Sequence, residues 1–323
     1  DGTSNFSKGL DNASGPGGII VGAAGNEADA GIHASGNVTQ GSQTLEAFNV
    51  PRMQWMVRID IWYSGSDSMN VEVITPTCGN TGWIAPNENQ NFTKACGNIS
   101  ISSLQNNPSN GDNEILIIIE NPSAGRWNFS LQGSSITNGR FDAWIDDTVT
   151  YATFVHPDSS ITLTDVGSTT KVISVGSYVT RPLYFDDPPA GNISTFSSHG
   201  PRRSCSTCEN AFKPDIAAPG QWIMSALSKD YVPEPGDVVD SSGEYILFQG
   251  TSMSSPHVAG AVALMFQAKP TFTPEDIKYY LLPTTKVDQY TGNVPNYVWG
   301  YGKLDAYDAF LALSSQYTLT VNI

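Results

Sequence analysis

Residues 250–260 read GTSMSSPHVAG. They follow a short apolar run, Tyr245-Ile246-Leu247-Phe248, and open a run of small residues with Val, Leu and Met at helical spacing. The pattern predicts a strand, a tight turn and a helix, with Ser252 at the turn. A hydroxyl there sits near the positive end of the helix macrodipole, which favours an alkoxide-like charge and the oxyanion of an acyl transition state. The chemistry on offer is nucleophilic attack on a carbonyl. Ser and Thr are also common helix caps, so a bare Gly-Thr-Ser triplet leaves a plain N-cap as the usual explanation.

The longer string carries more weight. GTSMSSPHVAG resembles the nucleophile segment of the subtilisin-like serine proteases, the subtilases. Further segments match in family order: GIIVGAAGNE at 18–27, VISVGSYV at 172–179, ISTFSSHGP at 193–201, KPDIAAPG at 213–220 and WGYGKLDAYDA at 299–309. The resemblance implies a serine endopeptidase that forms an acyl-enzyme on Ser252. Asn26 takes the place of the oxyanion-hole asparagine, and Ala23, Ala24 and Gly25 stand where part of a substrate-pocket wall is expected. The substrate implied is a peptide or protein, and an extracellular or cell-surface location goes with it. Calcium is often bound in this family; no ligand for it can be named here, and no cofactor is required.

The family's triad runs Asp, His, Ser along the chain, and no segment resembles the Asp or His motif. Four histidines are available: His33, His156, His199 and His257. His257 belongs to the helix after Ser252, where the family uses it in packing. His199 replaces the Arg usual in the FSSRGP segment, and His33 and His156 flank a long intervening region. None is expected to act as the base. The chain is therefore expected to be the C-terminal portion of a catalytic domain, inactive alone: a fragment, a processing product bound to its N-terminal half, or a genuine short protein. The alternative is a non-catalytic subtilase-like scaffold or binding protein, or a remnant that binds peptides by strand addition.

Composition narrows the partners. A formal charge of −15 argues against nucleic acid and anionic membrane surfaces. No apolar run is long enough to span a bilayer. Acidic pairs such as Asp146-Asp147 and Asp186-Asp187 could attract calcium, yet they lack further ligands at a set spacing. Of the four cysteines, only Cys205 and Cys208 form a C-x-x-C, whereas zinc sites usually need two such pairs. Disulfides Cys78–Cys96 and Cys205–Cys208 are expected instead, which fits an oxidising compartment. N-x-S/T sequons begin at Asn5, Asn12, Asn37, Asn91, Asn98, Asn128 and Asn192; in a chain so rich in these residues they carry meaning only in a glycosylating host.

These residues need a scaffold. Short apolar runs at 18–24, 171–180 and near 221–227 suit a parallel sheet, with helices expected at 255–268, 274–282 and 305–313 covering both faces. Between Asn26 and the strand at 171–180 lies a segment far too long for a structureless loop. Period-two alternation at 53–63, 71–74, 115–119, 126–133 and 140–146 predicts a β-sandwich there. The aromatics at 55, 62, 63, 127 and 144 are expected mainly in its core, a ligand platform being the alternative. The expected fold is thus α/β: a partial subtilisin-like parallel sheet with helices on both faces, interrupted by an all-β jelly-roll-like sandwich. The boundaries are 1–30 for the first part of the core, 31–165 for the insert and 166–323 for the second part, with YTLTVNI at 317–323 alternating as a strand would. Such a sheet would leave the Asn26 strand short of neighbours. An N-terminal portion of the same protease, or a homo-oligomer, is the partner expected to cover it.

Overall fold

A computed structural model describes residues 1–52, 54–205 and 212–314. Cys208, and with it the expected Cys205–Cys208 bond, lies outside the described residues, as does the strand expected at 317–323. The chain divides into two compact units. One comprises Asp1–Asp29, Ser160–Arg203 and the described residues from 212 onward; the other comprises Ala30–Ser159 with 204 and 205.

The first unit is built on a three-stranded parallel sheet, Val21–Ala23, Ile173–Val179 and Ile216–Gln221, with Ile173–Val179 in the middle. One face is covered by the helix Thr251–Ala268, whose Val258, Val262 and Met265 pack with Ile173, Val175, Ile216 and Ala218. Helices Pro274–Leu281 and Ala306–Ser314 extend this core through Ile277, Leu281, Ala309 and Leu313. The short helix Asp165–Ser168 packs on the other face, where Val166 adjoins Gly22. Helix Pro274–Leu281 starts as its sequence predicts: Thr273 and Asp276 form a reciprocal capping box, followed by proline in the first turn.

Beneath the sheet runs a buried charge network. Asp215 accepts from Ser174 N–H at 2.8 Å and from Lys213 Nζ at 2.7 Å, while its second oxygen pairs with Lys278 Nζ at 2.9 Å. Burial pushes the Asp215 carboxyl up, and the two ammonium groups outweigh it, holding it below the usual carboxylate range. Burial also draws Lys213 down to about 8, against the opposing pull of Asp215.

Two expectations need correction. The third parallel strand is Ile216–Gln221, and the stretch expected near 221–227 is a separate element. Trp222, at φ 55°, breaks the chain between them. Ile223–Ala226 then pairs antiparallel with Tyr245–Phe248 in a small three-stranded sheet. The helix expected at 255–268 also begins at Thr251, four residues before its expected start. Gly250, at φ 144°, makes the break, and the freed Thr251 N–H finds a partner far away in sequence, described below.

The second unit is antiparallel throughout its two main sheets, one of six strands and one of four. The expected strands occur as Met56–Tyr63, Ser68–Ile74, Asn113–Glu120, Gly125–Ser135 and Arg140–Ile145. Alternate residues of both sheets, among them Val57, Ile59, Ile61, Ile115, Ile117, Phe129 and Leu131, meet in one hydrophobic cluster. The aromatics divide between two environments. Tyr63 and Trp127 are fully buried in that cluster, whereas Trp55 is exposed and the half-buried Trp144 stacks on His33 at 4.9 Å. Cys78 and Cys96 form a disulfide.

Candidate active site

Strand Val21–Ala23 delivers Asn26 to the surface. Ala24 N–H still bonds to Val175 O at 3.0 Å, and Gly25, at φ 124°, then turns the chain so that Asn26 is exposed. Its side-chain oxygen accepts from Thr251 N–H at 2.8 Å and from Thr251 Oγ1 at 3.0 Å. The helix thus receives from Asn26 the capping acceptor that Gly250 cannot supply. With Oδ1 committed to donors, the amide's orientation is settled and Nδ2 is left to donate elsewhere.

Ser252 lies in the first turn of this 18-residue helix, exposed, beneath the positive end of the helix dipole. A methyl group built on Gly250 would lie 3.5 Å from Asn26 Nδ2, 3.7 Å from Ser252 N and 3.6 Å from Asn26 Oδ1, whose lone pairs are taken up by Thr251. Both nitrogens therefore border one spot beside Gly250, kept open because that residue has no side chain. The turn before Ser252 is also tied to the parallel sheet, since Gly250 N–H donates to Gly220 O at 2.8 Å.

Ser198 holds the Asn26 loop from behind. Its N–H donates to Gly25 O at 3.0 Å, its hydroxyl accepts from Glu27 N–H at 3.0 Å and donates to Glu27 Oε2 at 2.7 Å. Ala28 N–H bonds to Phe196 O at 3.1 Å nearby. The sequence carries no signal for the roles of Thr251 and Ser198 beyond their place in the GTS and FSSHGP segments. Of the three residues expected to form a pocket wall, Ala23 is half-buried, while Ala24 and Gly25 are buried. The Ala24 backbone is engaged by Val175 O and Thr164 N–H, so its side chain lies packed below the surface.

None of the four histidines is hydrogen-bonded to Ser252. His257 Nδ1 donates to Met253 O at 3.0 Å on its own helix. His33 is buried in the second unit, between Asp142 at 3.3 Å and Asp158 O at 3.1 Å. His156 is exposed in that same unit and lies near Glu46. The His199 backbone is held by Thr162, its Nε2 is buried without a partner, and burial lowers its imidazole against the pull of Asp29. Among the described residues no group of three or more His, Cys, Asp or Glu is placed to hold a metal ion. Of the acidic pairs, Asp187 accepts from Leu183 N–H, Tyr184 N–H, Gln221 Nε2 and Trp222 Nε1, and Asp146 pairs with Thr148 and Arg58. No helix among the described residues is long and apolar enough to cross a membrane.

Comparison with known proteins gives a consistent answer. The sequence pattern of the subtilase family matches residues 1–302. Serine protease AprX of Bacillus subtilis (strain 168) is 34% identical over 151 residues, covering 46% of this chain and 32% of that protein. Subtilisin-like protease SBT3 of Solanum lycopersicum is 28% identical over 204 residues, covering 60% of this chain and 26% of that protein. The chain thus spans about a third or less of the length of these two relatives. Among solved structures, the Clostridium perfringens CspB protease superposes with a TM-score of 0.79 at 27% identity, over 97% of this chain and 64% of that one. A family match across most of the sequence, together with a shared fold, makes this chain a member of the subtilase family.

Proposed function

We propose that this chain carries the nucleophile and oxyanion site of a serine endopeptidase. Ser252 Oγ attacks the scissile peptide carbonyl. Asn26 Nδ2 and Ser252 N–H donate to the oxygen as it becomes negative; the C–N bond then breaks, the amine leaves with the proton that the base took from Ser252, and the acyl group resides on Ser252 until water hydrolyses the ester to the free acid. The observation that carries the reading is the convergence of those two nitrogens beside Gly250, with the Asn26 amide oriented by Thr251. A scaffold freed from catalysis has no need of an exposed serine at that point.

The proton on Ser252 requires a base. Since each histidine of the chain is engaged elsewhere or has no bond to Ser252, the reading places the base on a second polypeptide segment and makes the chain close to inactive alone. The open edge of strand Val21–Ala23 fits that arrangement. Ile20 O and Ala24 N–H bond to the neighbouring strand, so the alternation of a parallel pair turns Val21 and Ala23 N–H outward. A companion strand, from an N-terminal portion of the same protease or from a second copy, would satisfy both. Residues 1–30 and 166–323 then form the catalytic core, and 31–165 an inserted jelly-roll-like sandwich, supported by two antiparallel sheets sharing one cluster. The Cys78–Cys96 disulfide supports an extracellular location. No cofactor enters the mechanism.

A fluorophosphonate tests this directly. On the isolated chain, labelling mapped by peptide mass spectrometry over 245–265 should be slow, faster when imidazole is added as a free base, and confined to Ser252. Ser252→Ala should abolish it. Adducts spread over other serines, or none at Ser252 with imidazole present, would refute the assignment.

A further inference from the structure

The loop 181–190 reads RPLYFDDPPA and sets three large apolar side chains in the open: Leu183, Tyr184 and Phe185 are 40, 49 and 108% exposed. Exposed apolar residues in a loose loop would mean little, yet this loop is pinned. Asp187 accepts from Leu183 N–H at 2.6 Å, Tyr184 N–H at 2.7 Å, Gln221 Nε2 at 2.8 Å and Trp222 Nε1 at 2.8 Å. One carboxylate thus joins the loop to the end of the last parallel strand. Tyr184 packs edge-on against Trp222 at 5.2 Å. Trp222 itself holds φ 55°, a conformation costly for a large side chain and kept only where its surroundings enforce it. The outcome is a preorganised aromatic ledge with an acidic neighbour, Asp186.

Its position says what it serves. Gly220 O accepts from Gly250 N–H, and Ile223 pairs with Phe248 in the strand that runs into the nucleophile turn. Trp222 lies two positions beyond Gly220, and Ser252 two positions beyond Gly250. With 3.8 Å between successive Cα atoms, the ledge stands within about 20 Å of Ser252, a reach of roughly six residues of extended peptide. Rigid aromatics placed this way are the usual anchors of peptide recognition.

We infer that Tyr184, Phe185 and Trp222 form a substrate-recognition ledge, selecting a large apolar side chain in a peptide that lies across Ser252 and disfavouring an acidic one. The inference rests on the proposed peptidase reading and deepens it. The occupant is a substrate peptide, because the ledge is continuous with the strand and turn that carry the serine.

Blocked octapeptides carrying p-benzoylphenylalanine at each position in turn would be photo-crosslinked to the intact chain, and the adducts mapped. Cross-links are expected within 183–185 and at Trp222. A Phe- or Leu-containing peptide should compete about tenfold better than its Ser or Asp counterpart. Trp222→Ala should remove most of this discrimination. So should Phe185→Ser, a substitution at a side chain so exposed that folding is not at stake. Cross-links elsewhere, no binding, or discrimination untouched by both variants would overturn the ledge. A dimer in sedimentation velocity that Phe185→Ser dissociates would assign the surface to self-association, and would overturn it as well. The phosphonate adduct on Ser252 is read separately, so a failed ledge and a failed nucleophile are distinguishable.

Discussion

Asn26 serves two masters at the residue scale, because Oδ1 caps a helix while Nδ2 faces the spot beside Gly250. Asn26→Ala should therefore show two effects. Phosphonate labelling in the imidazole-supplemented assay should fall by about 10²–10³ through loss of an oxyanion donor. Urea denaturation should report a loss of about 1 kcal/mol from the missing cap. Gly250→Ala tests the same spot by filling it: its methyl would sit in van der Waals contact with both nitrogens and occupy the place of the oxygen, and the φ of 144° is strained for any side chain. Labelling should be lost, with a stability cost of about 1–2 kcal/mol visible in the same denaturation curve. Ser252 and Asn26 could be singled out because each lies in a long, distinctive string. Thr251 and Ser198 were not, since their contacts join residues more than 170 positions apart, and no periodicity encodes such a pairing.

Among the elements, the residues leading into strand Ile216–Gln221 carry a pH-sensitive charge network. Asp215 is held below the usual carboxylate range by Lys213 and Lys278. A group whose pKa is lowered by folding stabilises above its unfolded value, near 3.9. That contribution disappears as pH falls through the folded value. The urea midpoint should therefore drop steeply below about pH 4, and Asp215→Asn should flatten that acid limb while lowering stability at neutral pH by about 3–5 kcal/mol, because the buried Lys213 ammonium and the half-buried Lys278 lose their counter-ion. Lys213 works in the opposite sense. Drawn down to about 8, it makes the unfolded chain hold more protons between about 8 and 10.4, so its own contribution improves as pH rises through that window. At this scale three helices and five alternating strands were legible from residue pattern, whereas the helix Asn5–Ala13 and the strands His33–Asn37, Gln43–Val50, Asn89–Lys94 and Gly97–Leu104 were not. The break at Trp222 and the early helix start were not, since one depends on the hub at Asp187 and the other on an acceptor 225 residues away.

For the whole molecule, the two hydrophobic clusters share no residue. Calorimetry should resolve two transitions. Reducing Cys78–Cys96, which closes an 18-residue separation in the second unit, should lower one of them by about 3 kcal/mol and leave the other in place. A single transition that shifts as a whole on reduction would mean that the clusters unfold together. The existence of an all-β segment was readable from alternation and loop-length limits, but its sheet order was not, because in the six-strand series 33–37, 140–145, 56–63, 113–120, 97–104, 89–94 the first three pairings join strands far apart in the chain.

The amide at position 26 also bears on how such a gene would age. A lineage that stopped cleaving peptides would still need an acceptor there to cap the helix, so drift would spare Asn26 long after selection for turnover had ended. Ser252, whose side chain caps nothing, would be among the first positions to wander. In a comparison of relatives, the serine is therefore the clock of lost activity, and the asparagine is a record of folding.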